Sequence, residues 1–145
     1  MKKGIRLVCL ALLLGNLIII NPLYSQPVRY KCTNLFQVVK DSEREIIGVH
    51  KAPDLSSEIV IINPSGKKIR TYSQYNSFDL DIIDSVSVIT TIEGNIAIKY
   101  ICVDKQGKRC NARLVHFTDD KININNLSMF VDYSDYTYWY QLVQD

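Results

Sequence analysis

Apolar and polar residues alternate along most of this chain with a period of two, the spacing of a strand with one face in a core and one in water. Phe78, Leu80 and Ile82 alternate with Asp79 and Asp81. Ile96, Ile98, Tyr100 and Cys102 share one face of a segment. Cys110, Ala112 and Leu114 share a face of the next, with Arg109, Asn111 and Arg113 opposite. Near the C-terminus Tyr136, Tyr138, Tyr140 and Leu142 fall on one side, and Thr137, Trp139 and Gln141 on the other. The run Glu58–Ile62 (EIVII) is nearly continuous in apolar residues, as in a strand covered on both faces. No window of useful length has a helical period. The pattern predicts strands at about 29–39, 44–51, 57–63, 67–73, 78–84, 86–92, 96–104, 108–117, 127–134 and 136–143.

Turn chemistry separates these segments. Asn63-Pro64-Ser65-Gly66 suits a type I turn, with Pro second and Gly fourth. Asp104-Lys105-Gln106-Gly107-Lys108 suits a three-residue hairpin loop, with Gly107 at the left-handed position. That loop sets Cys102 opposite Cys110, Tyr100 opposite Ala112 and Ile98 opposite Leu114. A slip of one residue would put the two apolar faces on opposite sides. The fold class is therefore all-β, an antiparallel meander of about eight to ten short strands closing into a small barrel or sandwich. Closure removes exposed edges.

The first 25 residues are different. MKKGIR carries three cations and no acid, Leu7–Ile20 is apolar except for Asn16, and Pro22 and Ser25 follow. This is the order of a secretory signal peptide, in which the apolar run is a helix. At ~1.5 Å per residue that run spans roughly 21 Å, short of a ~30 Å hydrocarbon core. Residues 1–25 are thus expected to be cleaved after Ser25. Residues 26–145 remain as a single all-β domain, periplasmic or secreted, with no stable membrane anchor. Cys9 sits at the start of the apolar run, too early for a lipid-bearing cysteine.

Cleavage changes the charge. The full chain has a formal net charge of +2, but losing Lys2, Lys3 and Arg6 leaves 14 of the 17 basic residues against 15 acidic ones. The mature domain is slightly acidic, which argues against nucleic acid as a partner. Two local basic clusters flank turn signals: Lys67, Lys68 and Arg70, and Lys105, Lys108, Arg109 and Arg113. They read as solvated hairpin tips rather than a phosphate site.

The mature domain holds Cys32, Cys102 and Cys110. Opposed Cα atoms about 4.5–5.5 Å apart lie inside the disulfide window, and export permits oxidation. A Cys102–Cys110 disulfide is expected; the alternative is two reduced cysteines packed as small apolar side chains. Cys32 is then odd: a buried free thiol, a partner in an intermolecular pair, or a reactive thiol, with burial beside the first strand's apolar residues the plainest of the three.

Catalytic, cofactor and metal motifs are not found. His50 and His116 are isolated, and there is no HExxH, CxxC or Gly-rich phosphate loop. Asp79 and Asp81 share a strand face, as glycosidase acids can, but alternation puts such pairs on any wet face. Asp119 with Asp120, or Asp132 with Asp135, lack the spaced oxygens of a calcium loop. Asn126-Leu127-Ser128 matches a glycosylation sequon, discounted for a chain of bacterial character. The feature with most functional content is the aromatic run Tyr133, Tyr136, Tyr138, Trp139 and Tyr140. Exposed Tyr and Trp stack on sugars or anchor protein partners, whereas buried ones are core or close a barrel end.

Three stretches carry a resemblance: IVIINPSGKKIRTYSQYNSFDLDII, IKYICVDKQGKRCNARLV and MFVDYSDYTYWYQLV. Over residues 30–143 the chain resembles a group of small secreted Bacteroidetes proteins, most specifically in the CVDKQGKRC hairpin and the Tyr133-Ser134-Asp135 turn. Where that group often carries tryptophans in its second strand, this chain has SEREIIGVHK. The resemblance implies export and a lipocalin-like or other small barrel, and brings no catalytic residues. The expected function is a non-enzymatic binding module for a small apolar ligand or a protein partner. The alternatives are an envelope-associated structural or inhibitor-like protein, and then a hydrolase using Asp79 and Asp81 or Cys32.

Overall fold

A computed structural model of the chain describes residues 26–52, 58–72, 77–84, 87–91, 94–118 and 127–145. The expected signal helix at 1–25, Cys9, Asp119, Asp120 and Asn126 lie outside them. The described residues form ten antiparallel strands: β1 (Val28–Lys40), β2 (Ile46–Lys51), β3 (Ile59–Asn63), β4 (Lys68–Tyr72), β5 (Ser77–Ile82), β6 (Ser87–Thr90), β7 (Ile96–Asp104), β8 (Arg109–His116), β9 (Leu127–Asp132) and β10 (Tyr136–Gln144). Each coincides with a predicted segment, although β3, expected to be covered on both faces, has alternating burial with one face only half-buried.

Eight of them close a barrel in the order β1-β3-β4-β5-β7-β8-β9-β10, with β10 returning to β1. The path is a meander except at two places. β1 pairs through Val28–Lys31 with β3 and through Phe36–Lys40 with β2, on the same edge. β7 likewise pairs with β6 at Ile96–Lys99 and with β5 at Cys102–Asp104. Long strands thus hold two short neighbours end to end. β1 shifts register between Cys32 and Asn34 and between Val39 and Lys40, irregularities that bend and twist a strand enough to follow a curved wall. β2 stands clear of the core, with Ile46, Ile47 and Val49 all more than half exposed.

Inward positions fill the middle. Cys32, Val60, Ile69, Leu80, Cys102, Met129, Val131 and Leu142 are each under 2% exposed. Burying an aliphatic side chain of this size contributes about 1.5–3 kcal/mol, and truncating Leu80 or Leu142 to Ala costs about 2–5 kcal/mol.

The β7–β8 hairpin has the expected register, including Cys102 opposite Cys110 and Ile98 opposite Leu114. Gly107 is left-handed at φ 80°. The expected disulfide, however, is not formed: both residues are buried free thiols. Asp104 N–H donates to Lys108 O at 3.0 Å, and Ile83 N–H to Ile101 O on the other edge of β7. Alternation then makes Cys102–Cys110 a hydrogen-bonded pair, the wider kind, with Cα atoms ~5.5 Å apart and side chains farther apart than in the ~4.5 Å kind. A disulfide wants Cβ atoms about 3.5–4.5 Å apart. Burial, reinforced by each thiol's proximity to neighbouring negative groups, pushes Cys102 up to about 12 and Cys110 up to about 11, so neither is a ready nucleophile.

The β3–β4 turn also differs from expectation. Lys67 N–H donates to Pro64 O, so the turn sits one residue later than the NPSG signal, and Lys67 takes the left-handed conformation at φ 51°. A Cβ on Gly66 would lie 2.5 Å from the Asn63 amide nitrogen, so the Asn63 side chain, whose Oδ1 accepts Gly66 N–H, would have to shift.

Candidate functional site

The aromatic run at 133–140 is divided by the sheet. Tyr140 points into the barrel and is buried. Trp139 lies on the outer face between Phe36 and Phe130, with ring centroids 5.0 and 5.8 Å away, and its Nε1–H donates to Ser128 Oγ at 3.1 Å. These three aromatics are paired positions on β1, β10 and β9, so they form a cross-strand ladder that stiffens the wall.

Tyr133, Tyr136 and Tyr138 meet at one end of the barrel. There, with Phe78, Asp79, Asp104, Lys105 and Gln106, they line a cavity of about 290 Å³. Phe78 and Tyr138 come from strands that are not neighbours, yet their rings meet edge-on at 6.4 Å. Tyr136 stands edge-on to Tyr138 at 5.2 Å. Tyr133 is buried, stacks against Tyr136 at 4.7 Å and donates its O–H to Asp104 Oδ2 at 3.1 Å. Tyr136, Tyr138 and Phe78 are only partly buried, so they offer surface to the cavity while Tyr133 braces them. Lys108 Nζ sits 5.0 and 4.8 Å from the centroids of Tyr133 and Tyr136 and is held by Asp135 at 3.0 Å.

Asp104 organises this end. Its Oδ1 accepts Gln106 N–H at 2.9 Å and Lys108 N–H at 2.8 Å. Burial alone would raise the carboxyl, but those two N–H groups, the Tyr133 hydroxyl and the Lys108 charge outweigh it and hold Asp104 below the usual carboxylate range. Tyr133 is pushed up, first by burial and then by Cys110 and Asp104, so its phenol stays a donor.

Deeper inside the barrel lies a polar group that sequence alone does not flag. Glu58 and Thr71 are buried, and Thr71 lies within reach of both the Glu58 carboxyl and the Tyr140 phenol. Burial raises Glu58 and favours its neutral acid. Cys32 is raised to about 12, by burial first and by Glu58 second. In sequence Glu58 is only the polar start of an apolar strand, and nothing pairs it with Tyr140 before the barrel closes. At the opposite end, Val28, Tyr30, Ile62, Ile98, Tyr100 and Leu114 border a smaller, more apolar cavity of about 180 Å³.

The residues considered for hydrolysis are not brought together. Cys32 is buried in the barrel, and His50 and His116 are exposed on β2 and at the end of β8. Asp81 pairs with Lys68 at 2.7 Å. Asp79 lies at the mouth, 3.3 Å from Lys105 and 3.6 Å from Arg70. Asp132 is engaged by Arg113 at 2.7 Å and Asp135 by Lys108, so side-chain cations already occupy this one of the two aspartate pairs considered for calcium; the other lies outside the described residues. No three His, Cys, Asp or Glu side chains gather as a metal site among the described residues. No family model matches the chain, and comparison with curated proteins and with solved structures finds no match.

Proposed function

We propose that this is an exported, non-enzymatic binding protein whose site is the tyrosine-lined mouth, and that its ligand is a saccharide unit or similar polyol. One observation carries the reading: three aromatic rings with free surface converge on the same cavity as two carboxylates and an amide. A sugar ring has an apolar C–H face that stacks on an aromatic ring and hydroxyl edges that need acceptors. Tyr136, Tyr138 and Phe78 supply the faces; Asp79, Asp104 and Gln106 supply the acceptors. The volume sits at the lower edge of the ~300–1,000 Å³ range of ligand sites, which fits one ring rather than a long chain. The mixed lining argues for such a ligand over a purely apolar one.

The test is a titration of the mature domain with glucose, galactose and N-acetylglucosamine, followed by amide and aromatic NMR shifts. Shifts at Phe78, Tyr136 and Tyr138 are expected. Tyr138→Ala should weaken binding about two- to tenfold, the equivalent of a lost aromatic contact of ~0.5–1.5 kcal/mol. Saccharides that leave these resonances unmoved, or a Tyr138→Ala protein that binds like the parent, overturn the reading.

A protein partner is the second reading, and β2 favours it. It pairs only with β1 among the described residues and carries exposed Ile46, Ile47 and Val49, the features of an edge open to strand addition. Its simplest occupant is β2 of a second copy. Sedimentation velocity should then show dimers that Val49→Lys abolishes; a monomer at every concentration removes this version.

A further inference from the structure

Two hairpins far apart in sequence frame a third cavity, on the outside of the barrel. Arg109, Asn111 and Arg113 occupy alternate positions along β8 and form one wall. Lys40, at the end of β1, and Arg44, in the β1–β2 turn, form the other. The groove between them has a volume of about 570 Å³. Lys40 N–H donates to Asp135 O at 2.9 Å, which ties the first hairpin against the β9–β10 turn and sets the width.

The charges are unbalanced. Four cations line the groove with one carboxylate, Asp132. Asp132 is shared by Arg113 at 2.7 Å and Lys40 at 3.6 Å and also accepts Thr137 Oγ1–H at 2.8 Å. Arg44 and Arg109 have no ion pair among the described residues. The nearby acids are otherwise placed. Asp41 Oδ1 accepts the N–H groups of Glu43 and Glu45, Asp135 pairs with Lys108, and Glu43 and Glu45 are exposed and do not line the groove.

Arg44 adds an independent observation. It is left-handed at φ 68°, a conformation that costs a side-chain-bearing residue roughly 1–2 kcal/mol. Gly94 and Gly107 hold the corresponding positions in the other two turns with this hydrogen bonding, at φ 82° and 80°. Glycine would make the turn at lower cost, and what arginine adds is a guanidinium at the groove. Lys67 is also left-handed, at φ 51°, but of the two only Arg44 lines this groove.

We propose that this groove binds a tetrahedral oxyanion, phosphate or sulfate, free or as an ester on a small molecule. Planar guanidinium forks match such oxygens two at a time, Lys40 adds a point charge, and the Asn111 amide adds a neutral donor. The site is distinct from the mouth, although Tyr133 borders both cavities.

The experiment is an NMR titration of the mature domain with inorganic phosphate, inorganic sulfate and glucose 6-phosphate, each at ionic strength held constant with NaCl. Saturable shifts at the Asn111 side-chain amide and the Arg44 and Arg109 Nε–H groups are expected. Tighter binding of glucose 6-phosphate than of phosphate assigns the ester as the source; equal binding assigns the free ion. Arg44→Gly, which keeps a turn that favours glycine, should raise the Kd at least tenfold, and adding Arg109→Gln should abolish saturation. Arg29→Gln, a remote cation paired with Asp145, should leave the Kd unchanged. Shifts that NaCl alone reproduces, or an Arg44→Gly protein that binds like the parent while folded by circular dichroism, overturn the proposal.

Discussion

The β1–β2 and β7–β8 hairpins turn by the same device at different cost. In one, Asp41 N–H donates to Glu45 O at 3.0 Å and Arg44 N–H to Asp41 O at 3.0 Å. In the other, Asp104 and Lys108, and Gly107 and Asp104, make the equivalent bonds at 3.0 and 2.9 Å. Each aspartate caps its own loop through Oδ1, accepting N–H groups two and four residues on. They differ in two respects. The left-handed residue is Arg44 in one and Gly107 in the other. Asp104 also receives the Tyr133 hydroxyl, whereas the Asp41 carboxylate bonds only N–H groups of its own loop among the described residues. Backbone hydrogen bonding is thus enough to specify the turn, while the neighbours decide what else it does: the second turn braces the aromatic mouth, the first carries a cation to a groove.

The comparison breaks most visibly at the aspartates. Asp104→Ala removes the acceptor for two backbone N–H groups and one buried hydroxyl and should cost about 2–4 kcal/mol; Asp41→Ala should cost about 1–2 kcal/mol, like a lost cap. Urea unfolding of both variants measures the gap, and equal losses would show that the Tyr133 contact carries no weight. Acid sharpens the same point. The folded Asp104 carboxyl is held low, so its contribution is present above the unfolded value of ~3.9 and is lost as pH falls through the lower folded value. Asp104→Asn should flatten that acid limb in a stability profile from pH 2 to 6. Gly107→Ala should then cost about 1 kcal/mol or slightly more, because alanine pays for the left-handed backbone. Arg44→Gly should go the other way and raise stability by up to about 1 kcal/mol in the same urea assay. The smallest effect belongs to the cysteines facing each other in the second hairpin. Reductant should leave the Tm unchanged, and Cys102 and Cys110 should alkylate fully after unfolding without it.

Much of the fold was legible because each strand announces itself locally. Phe78, Leu80 and Ile82 alternate with aspartates, and Gly107 marks its turn. The matching faces of β7 and β8 set a register that the structure reproduces pair for pair. The mouth was only half legible. Tyr133, Tyr136 and Tyr138 stand out in sequence, but so do Trp139 and Tyr140. Alternation separates Trp139 from the other two; nothing local says that Tyr140 ends in the core while Tyr138 stays at the rim. The Cys102–Cys110 bridge failed on a finer point: opposition in register is local, but sulfur–sulfur reach depends on whether the opposed pair is the wide or the narrow kind.

By itself the sequence determined the strand segments, the register of the β7–β8 hairpin and its Gly107 turn, because alternation and turn chemistry act over a few residues. Only the tertiary structure decided that β1 carries β2 and β3 on one edge, that β10 closes onto β1, that Glu58 is buried against Thr71 and Tyr140, and that Lys40 and Arg44 face Arg109 and Arg113. These depend on how strands stagger when a twisted sheet closes on itself, a property of the whole ring that no single segment encodes.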